Sequence, residues 1–148
     1  MTYRVREASH DDLSAVLALY RHLSPEDPEL QIAGATPAWE ALLQSPMTIV
    51  VVAEIEGAVA ASCLLVMVPN LTRGARPFAI IENVVTDPDH RKKGLGTAVL
   101  SFALQAAWER GCYKVMLASG RKEEATLRFY EKAGFKRGGK TYFEVRRI

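Results

Sequence analysis

The spacing of apolar residues along this chain changes period several times, and each change predicts a boundary of a helix or strand. The opening stretch TYRVREA is expected to be a short strand. A helix is expected from about His10 to Leu23, because apolar residues there recur three and four positions apart and Ser9 is a suitable N-terminal cap. The apolar face of this helix consists of Leu13, Val16, Leu17 and Tyr20.

The middle of the chain contains a long apolar stretch, Thr48 to Val68, that resembles a membrane span in length. β-Branched residues dominate its first half, and Glu56 and Gly57 interrupt its centre, so a hairpin of two buried strands is expected instead. Ahead of this hairpin, Pro37 is expected to open a short helix that ends before Pro46. That helix carries Trp39, Leu42 and Leu43.

The second half of the chain alternates predicted strands and helices. Phe78–Thr86 is apolar almost throughout, which favours a central strand covered on both faces. A helix is expected from Thr97 to Arg110, ended by Gly111 in the left-handed conformation that glycine adopts readily. The last expected elements are a strand at Tyr113–Ala118, a helix at Glu123–Ala133 ended by Gly134, and one or two strands within Arg137–Ile148. This order predicts one α/β domain, residues 1–148, with a mixed sheet and helices on both faces.

Composition narrows the classes of function. Hydrophobic residues make up 49% and charged residues 24% of the chain, which is typical of a soluble domain with its own core. The formal net charge of +2 is too small to indicate a nucleic-acid partner, and no basic stripe with interleaved aromatic residues is present. Cys63 and Cys112 match no metal-ligand spacing and are expected to be free thiols. The charged N-terminal residues are unlike a secretory signal, so a reducing cytoplasm is expected.

The stretch IENVVTDPDHRKKGLGTAVL, residues 81–100, places a basic turn with two glycines between an apolar strand and a helix. The first N–H groups of a helix have no partner within it, and the helix dipole adds partial positive charge there. Glycine lets a ligand approach the backbone closely, so such a turn suits phosphate or pyrophosphate. Its spacing fits neither the P-loop nor the dinucleotide-binding fingerprint, and taken alone it is more typical of a solvated basic turn.

Together with RFYEKAGF at residues 128–135, RKKGLG after an apolar strand resembles the GNAT superfamily of acyl-CoA-dependent N-acyltransferases, and the order of elements matches over nearly the whole chain. The resemblance implies an α/β (α+β) fold with a mixed, mostly antiparallel sheet of six to seven strands and about four helices. It implies that the basic turn holds the pyrophosphate of coenzyme A and that the preceding strand pairs through its backbone with the pantetheine arm. The cofactor-binding residues carried over to this sequence are Val84, Val85, Thr86, Arg91, Lys92, Lys93, Gly94, Leu95, Gly96 and Thr97.

The resemblance also implies two catalytic residues. In most members of the family the tyrosine at the place of Tyr130 donates a proton to the departing thiolate, although an aromatic packed on an amphipathic helix is the alternative role. Glu82 is a carboxylate within an apolar strand, and such a group is costly to bury, so it is expected to face a wet cleft. The resemblance implies that this glutamate lies beside the acceptor amine. An edge position paired with a Lys or Arg is the alternative for Glu82.

IEN and GCYKVML followed by FYEKAGF look particularly like the glucosamine-6-phosphate N-acetyltransferase branch, and the aminoalkylphosphonate acetyltransferases look related. Asn83 stands where the former enzymes have Asp, and Glu123 stands where many family members have a CoA-contacting Asn, so the acceptor is left open. The expected substrate-binding residues are Asn83, Arg73 and Arg76, since two guanidinium groups in one loop suit a carboxylate or phosphate.

The sequence therefore predicts a cytoplasmic N-acetyltransferase that uses acetyl-CoA and acts on a primary amine of a small acceptor. A protein N-terminus or a lysine side chain remains an alternative acceptor, and a non-catalytic acyl-CoA sensor remains an alternative function. A homodimer is expected because the family often forms one. No metal, nucleic acid or membrane is expected as a partner, and direct transfer needs no Ser or Cys nucleophile.

Overall fold

Five strands form a single sheet in the computed structural model, which describes residues 2–147. The strands lie in chain order, so each connection joins neighbours. The first three pairs are antiparallel, and the last pair, β4 with β5, is parallel. The strands are β1 (Tyr3–Glu7), β2 (Thr48–Ile55), β3 (Ala58–Val68), β4 (Phe78–Thr86) and β5 (Val115–Met116).

The five helices cover both faces of this sheet, as predicted. They are α1 (Leu13–Leu23), α2 (Ile32–Gln44), α3 (Thr72–Ala75), α4 (Leu95–Glu109) and α5 (Glu124–Lys132). The α4 side chains Val99 and Leu100 pack against one face of the sheet, beside Val51. Val16 of α1 and Trp39 of α2 pack against the other face, where Val50 and Val52 point. The uninterrupted apolar run of β2 follows from this arrangement, because successive side chains enter two different cores.

The turns predicted from glycine are confirmed. Glu56 and Gly57 join β2 to β3 with φ values of 52° and 80°, the left-handed pair that suits a tight hairpin. Gly111 has φ of 82° and ends α4, where its N–H donates to the Trp108 carbonyl and the Cys112 N–H donates to the Ala107 carbonyl. Strand β4 also has the predicted limits, Phe78 to Thr86.

The start of the first predicted helix is a 3-10 turn, His10–Asp12, which passes into α1 at Leu13. The Asp12 carboxylate accepts a hydrogen bond from the Ser9 N–H at 2.7 Å. It also accepts two bonds from the Arg6 guanidinium, at 2.7 and 3.0 Å, and this contact holds the pKa of Asp12 below its usual range. Arg6 donates a further bond to Glu54 on β2, so one side chain ties β1, β2 and the start of α1 together.

Pro37 lies inside α2 rather than at its start, which is a correction to the sequence prediction. The helix begins at Ile32, and Ala35 and Trp39 are buried on either side of the proline. Burial of both side chains in one core favours a continuous helix even though the ring removes one backbone bond. The prediction used the preference of proline for a first turn and had no means of seeing this packing.

The sheet has five strands within residues 2–147, instead of the six to seven implied by the family resemblance. Strand β5 contains two residues rather than six, and the described residues 137–147, expected to supply one or two strands, belong to none. A strand exists only where a neighbour accepts and donates its backbone hydrogen bonds. The alternating sequence here is suited to a strand, but no ladder partner is present among the described residues. Ile148 lies outside them.

The helix count also differs from the expected four, because α3 forms within the predicted loop at Pro69–Pro77. Three consecutive residues of α3 have left-handed backbone angles: Arg73, Gly74 and Ala75. Helix α4 starts two residues earlier than predicted, and Trp108 near its end is 47% exposed. Cys63 and Cys112 are buried free thiols. Within residues 2–147, no helix combines the length and the apolar character that crossing a membrane requires.

Candidate active site

Strands β4 and β5 separate soon after they meet. Their ladder consists of two pairs, Ala79 with Val115 and Ile80 with Met116. The rest of β4, from Ile81 to Thr86, therefore has no strand on the side of β5. Backbone N–H and C=O groups on that side lack ladder partners, although β4 lies within the sheet. The opening is a ready site for a ligand that carries amide groups of its own.

A β-bulge interrupts β4 at the same place. Leu64 of β3 lies opposite Glu82 and Ser62 lies opposite Val85, so Asn83 and Val84 together face Cys63. Asn83 has φ of 55°, a left-handed conformation that asparagine tolerates better than most residues. Bulges of this kind redirect side chains and are frequent beside active sites. The sequence contained only a faint sign of it, one asparagine within an apolar run.

Glu82 has an exposed side chain on this interior strand. Its neighbours Ile81 and Ala79 are buried in the core against α4, whereas Glu82 shares the opposite face with Ile80. The ion pairs of the described residues do not include Glu82. Glu82 is thus a solvent-exposed carboxylate on an interior strand, which excludes the alternative of an edge carboxylate paired with a cation.

Tyr130 lies on α5 and is half-buried. Its ring meets Phe129 edge-on at 5.0 Å between centroids and Phe135 at 6.3 Å. Burial raises the pKa of Tyr130, the nearby Cys63 thiol adds to this, and Arg121 opposes it. A raised pKa keeps the phenol protonated at neutral pH, so Tyr130 is both packed and able to donate a proton.

The basic turn follows β4 and precedes α4. Arg91, Lys92 and Lys93 are exposed, and the backbone is left-handed at Lys92 (φ 63°) and at Gly94 (φ 83°). Gly94 caps α4, so the first free N–H groups of the helix lie directly beside the three cations. Charge and helix N-terminus therefore coincide at the end of β4, as an anion site requires.

Two residues of this turn have a packing role that the sequence did not indicate. The Leu95 side chain is buried in the core. A Cβ atom at Gly96 would lie 3.0 Å from the Phe129 ring and 3.3 Å from the Thr86 hydroxyl. Gly96 thus lets α5 pack closely on the start of α4, and through Phe129 it affects the position of Tyr130. Thr97 is exposed on the first turn of the helix.

Arg73 and Arg76 lie at the other end of β4, ahead of Phe78. Their guanidinium carbons are 5.7 and 5.6 Å from the centre of the Tyr113 ring, and the Lys114 ammonium is 5.4 Å from it. Glu82 is four residues along β4 from Phe78, a rise of about 13 Å. The structure therefore brings the two arginines together with Lys114 but does not place them beside Glu82.

Tyr20 of α1, assigned to the apolar face of its helix, is half-buried against the core that α1 and α2 form with β2. Burial raises the pKa of Tyr20. Within residues 2–147, no group of three or more His, Cys, Asp or Glu side chains is arranged to hold a metal ion.

Comparison with known proteins agrees with this geometry. The profile of the acetyltransferase (GNAT) family matches residues 15–135. Glucosamine 6-phosphate N-acetyltransferase of Trypanosoma brucei brucei is 36% identical over 132 residues, which are 89% of this chain and 88% of the relative.

Solved structures show the same fold. A putative acetyltransferase from Agrobacterium tumefaciens has a TM-score of 0.93 and 43% identity, over 97% of this chain and 99% of that one. Glucosamine-6-phosphate N-acetyltransferase from Arabidopsis thaliana has a TM-score of 0.86 at 23% identity, over 98% and 99%, a likeness of fold. The chain therefore belongs to the acetyltransferase (GNAT) family and is an acyl-CoA-dependent N-acetyltransferase.

Proposed function

We propose that this enzyme transfers the acetyl group of acetyl-CoA directly to the primary amine of a small acceptor. The observation that carries the proposal is the unpaired half of β4, which leads to a basic turn at a helix N-terminus. In this proposal the pantetheine amides pair with the backbone of Val84–Thr86, and the pyrophosphate lies against residues 91–97. A cytoplasmic location remains a prediction from the sequence.

The chemistry requires two proton movements. An alkylammonium has a pKa of roughly 10.4, so it must lose a proton before its nitrogen attacks the thioester carbon. The C–S bond then breaks, and the departing thiolate, with a pKa of about 8.5, takes up a proton. Glu82 is assigned the first proton, directly or through water, and Tyr130 the second. The Val84 N–H is assigned to the thioester oxygen, where charge develops.

Two observations support a small anionic amine as the acceptor: the name of a relative and a group of cationic side chains in this chain. The relative from Trypanosoma brucei brucei is named for glucosamine 6-phosphate, an amine that carries a phosphate. Arg73, Arg76 and Lys114 form a cationic group around Tyr113, ahead of the strand that carries Glu82. We assign this group to the anionic part of a small acceptor, with Asn83 beside the amine. The arginines must leave the Tyr113 ring to reach such an acceptor, because Glu82 is about 13 Å along the strand.

The quaternary structure belongs to the same proposal. The segment 140–147 is exposed, with Phe143 at 86% and Val145 at 97%, and its apolar and polar residues alternate as in a strand. Beside β5 lies a groove of about 580 Å³, whose apolar lining includes Leu104, Met116, Leu127 and Phe135. An unpaired strand and an unfilled groove in one chain are satisfied together if two copies exchange their C-terminal segments in a symmetric dimer.

Coenzyme A should raise the unfolding temperature of the protein, since a ligand of the native state stabilises it by mass action. We expect Gly94→Ala to weaken this binding by about tenfold, because alanine resists the left-handed backbone at the cap of α4 by roughly 1–2 kcal/mol. Gly111→Ala is the matched control: its φ of 82° imposes a similar strain at the far end of α4. Calorimetric titration gives the dissociation constants. Equal affinity in both variants would show that the turn does not hold the cofactor.

Glu82→Gln and Tyr130→Phe should differ in the pH dependence of their activity. Each substitution should lower kcat/KM by about 10²–10⁴-fold near neutral pH. Raising the pH toward the pKa of the amine should restore part of the Glu82→Gln activity, because solvent then supplies the free base. The Tyr130→Phe defect should persist, since burial raises the pKa of Tyr130 and the parent stays protonated over that range.

The measurement is kcat/KM against pH for the parent and both variants. Near-parental activity of Tyr130→Phe at every pH would restrict Tyr130 to packing. If Glu82→Gln keeps the parental kcat/KM at neutral pH, Glu82 does not take the proton from the amine.

Arg73→Ala and Arg76→Ala should raise the acceptor KM several-fold and leave the KM for acetyl-CoA unchanged. The acceptor is found by measuring released thiol with a panel of free amino sugars, their phosphates, aminophosphonates, amino acids and peptides. Arg4→Ala, an exposed arginine on β1 at the far edge of the sheet, is the control. A preferred acceptor without an anionic group, or one that is insensitive to both variants, contradicts the assignment. If none of these amines causes thiol release, the alternative of a non-catalytic acyl-CoA sensor is favoured.

Exchange of the C-terminal segments predicts a dimer in sedimentation equilibrium. Replacing Phe143 and Val145 together with Asp should give a monomer, because charged side chains cannot occupy an apolar groove without a partner. Leu71→Asp, at a 91% exposed position in another loop, should leave the dimer intact. A parent that sediments as a monomer at every concentration rules out this arrangement.

A further inference from the structure

The connection from β3 to β4 is folded around the side chain of Asn70. This half-buried amide donates from its Nδ2 atom to three oxygens: the Thr72 hydroxyl at 2.9 Å, the Thr72 carbonyl at 3.2 Å and the Arg76 carbonyl at 3.2 Å. An amide has two N–H groups, so one of them is shared between two of these oxygens. One side chain thus ties the start of the connection to its end.

The backbone between these two ends is strained. Arg73, Gly74 and Ala75 follow one another in the left-handed conformation, with φ values of 57°, 72° and 60°. Glycine adopts this conformation freely, whereas the side chains of arginine and alanine oppose it. Every residue of this turn is exposed, so apolar burial does not offset the strain. Hydrogen bonds must offset it instead, and the bonds of Asn70 are joined by one from the Arg76 Nε to the Arg73 carbonyl at 2.9 Å.

The strained turn places two guanidinium groups over one ring. The central carbons of Arg73 and Arg76 are 5.7 and 5.6 Å from the centre of the Tyr113 ring, and the Lys114 ammonium is 5.4 Å from it. The Tyr113 N–H donates to the Pro77 carbonyl at 2.9 Å, which fixes the backbone below the ring to the end of the same connection. The ion pairs formed within residues 2–147 include none of the three cations. Converging cations without a carboxylate partner suit an anionic ligand.

This cationic group borders the face of β4 that carries Glu82. The Lys114 ammonium lies 5.4 Å from the centre of the Phe78 ring. The pairing of β4 with β3 is regular from Phe78 to Glu82, so side chains alternate there, and Phe78, Ile80 and Glu82 share one face. An acceptor whose amine lies near Glu82 therefore has the cations ahead of it along the same face.

We infer that Asn70 is a positioning residue for the acceptor: its amide holds the left-handed turn from which Arg73 and Arg76 reach one shared anion, a carboxylate or phosphate. The inference rests on the proposed function, in which these arginines bind the anionic part of a small amine. The long side chains move from the Tyr113 ring to the acceptor, while the backbone that carries them stays fixed. A fixed backbone reduces the conformational entropy that is lost when the guanidinium groups close on the anion.

The kinetic test compares two changes with opposite effects on the turn, using the amine that the thiol-release panel selects. Asn70→Ala removes the hydrogen bonds, and we expect the acceptor KM to rise about three- to tenfold, the scale of a neutral hydrogen bond. The values of kcat and of the KM for acetyl-CoA should stay within about twofold of the parent. Ala75→Gly relieves the strain instead. Added to Asn70→Ala, it should lower the acceptor KM again, and failure of this rescue contradicts the inference.

An effect that passes through the arginines is not additive with their removal. In a chain that already carries Arg73→Ala and Arg76→Ala, Asn70→Ala should change the acceptor KM by less than about twofold. An equal change with and without the arginines overturns the inference, and so does a parental acceptor KM in Asn70→Ala alone. Gln105→Ala is the matched control, because it removes an exposed amide of α4 that bonds to Glu109, and it should keep the parental constants.

A second measurement needs no acceptor and uses inorganic phosphate as the probe. The enzyme is first saturated with coenzyme A, so that phosphate does not compete for the basic turn. Phosphate binding is then followed through the ¹⁵N–¹H signals of the Arg73 and Arg76 Nε groups. We expect the dissociation constant to be about three- to tenfold higher in Asn70→Ala than in the parent. Equal constants, or parental signals that do not respond to phosphate, overturn the inference.

The conformation of the turn separates this inference from the proposed function. The ¹³Cα and ¹³Cβ chemical shifts of Arg73 and Ala75 report their backbone conformation, and Asn70→Ala should move them away from left-handed values. Unchanged shifts overturn the inference even if the enzyme acetylates an anionic amine. If no amine is acetylated, the proposed function fails, while these shifts and the phosphate titration still decide the role of Asn70.

Discussion

An interior strand that loses its neighbour halfway along must satisfy its backbone polar groups in another way, and this constraint shapes the enzyme. Beyond Ile80, β4 has no partner on the side of β5. In a sheet without a ligand, the unpaired backbone N–H and C=O groups there would be unfavourable. Here they line an opening that leads toward the N-terminus of α4. The strand and the start of the helix that follows it both have N–H groups without partners. A ligand with amides in the middle and phosphates at one end suits that volume.

The cationic side chains and the neutral hydrogen-bond donors lie at different places along β4. The cations Arg91, Lys92 and Lys93 are exposed at one end, where they can neutralise an anion without being buried. Tyr130 and the Cys63 thiol, which lies opposite the bulge, are neutral hydrogen-bond donors, since burial raises the pKa values of both. Glu82 is the exposed carboxylate between them. In the proposed function, binding energy comes from screened surface charge, while proton donation uses a group that stays protonated.

Packing links these parts. Gly96 admits the Phe129 ring, Phe129 lies edge-on to Tyr130, and α5 therefore rests on the first turn of α4. On the opposite face, α1 packs against β2 through Val16. Arg6 ties the start of α1 to β1 and β2 through Asp12 and Glu54, which holds α1 against the sheet. The position of Tyr130 thus depends on a packing contact at the start of α4, and that of α1 on an ion pair outside the opening.

Much of this arrangement was determined by local sequence. Periodicity and glycine specified the hairpin at Glu56 and Gly57, the limits of β4, the end of α4 at Gly111 and the helix that carries Tyr130. These features depend on residues a few positions apart, which is why they can be read from one sequence. The basic turn and Glu82 were likewise recognised from residue types, and the resemblance to a family supplied their roles.

Tertiary structure alone decided the features that need a neighbour. The bulge at Asn83, the two-residue length of β5 and the unpaired state of residues 137–147 all depend on what lies opposite each strand. Pro37 inside α2, Gly96 beneath Phe129 and the arginines over Tyr113 depend on contacts between distant segments. Local sequence determined which residues are able to form elements and donate protons. Which of them meet was decided by packing, because hydrogen-bond partners and buried contacts are properties of the folded chain.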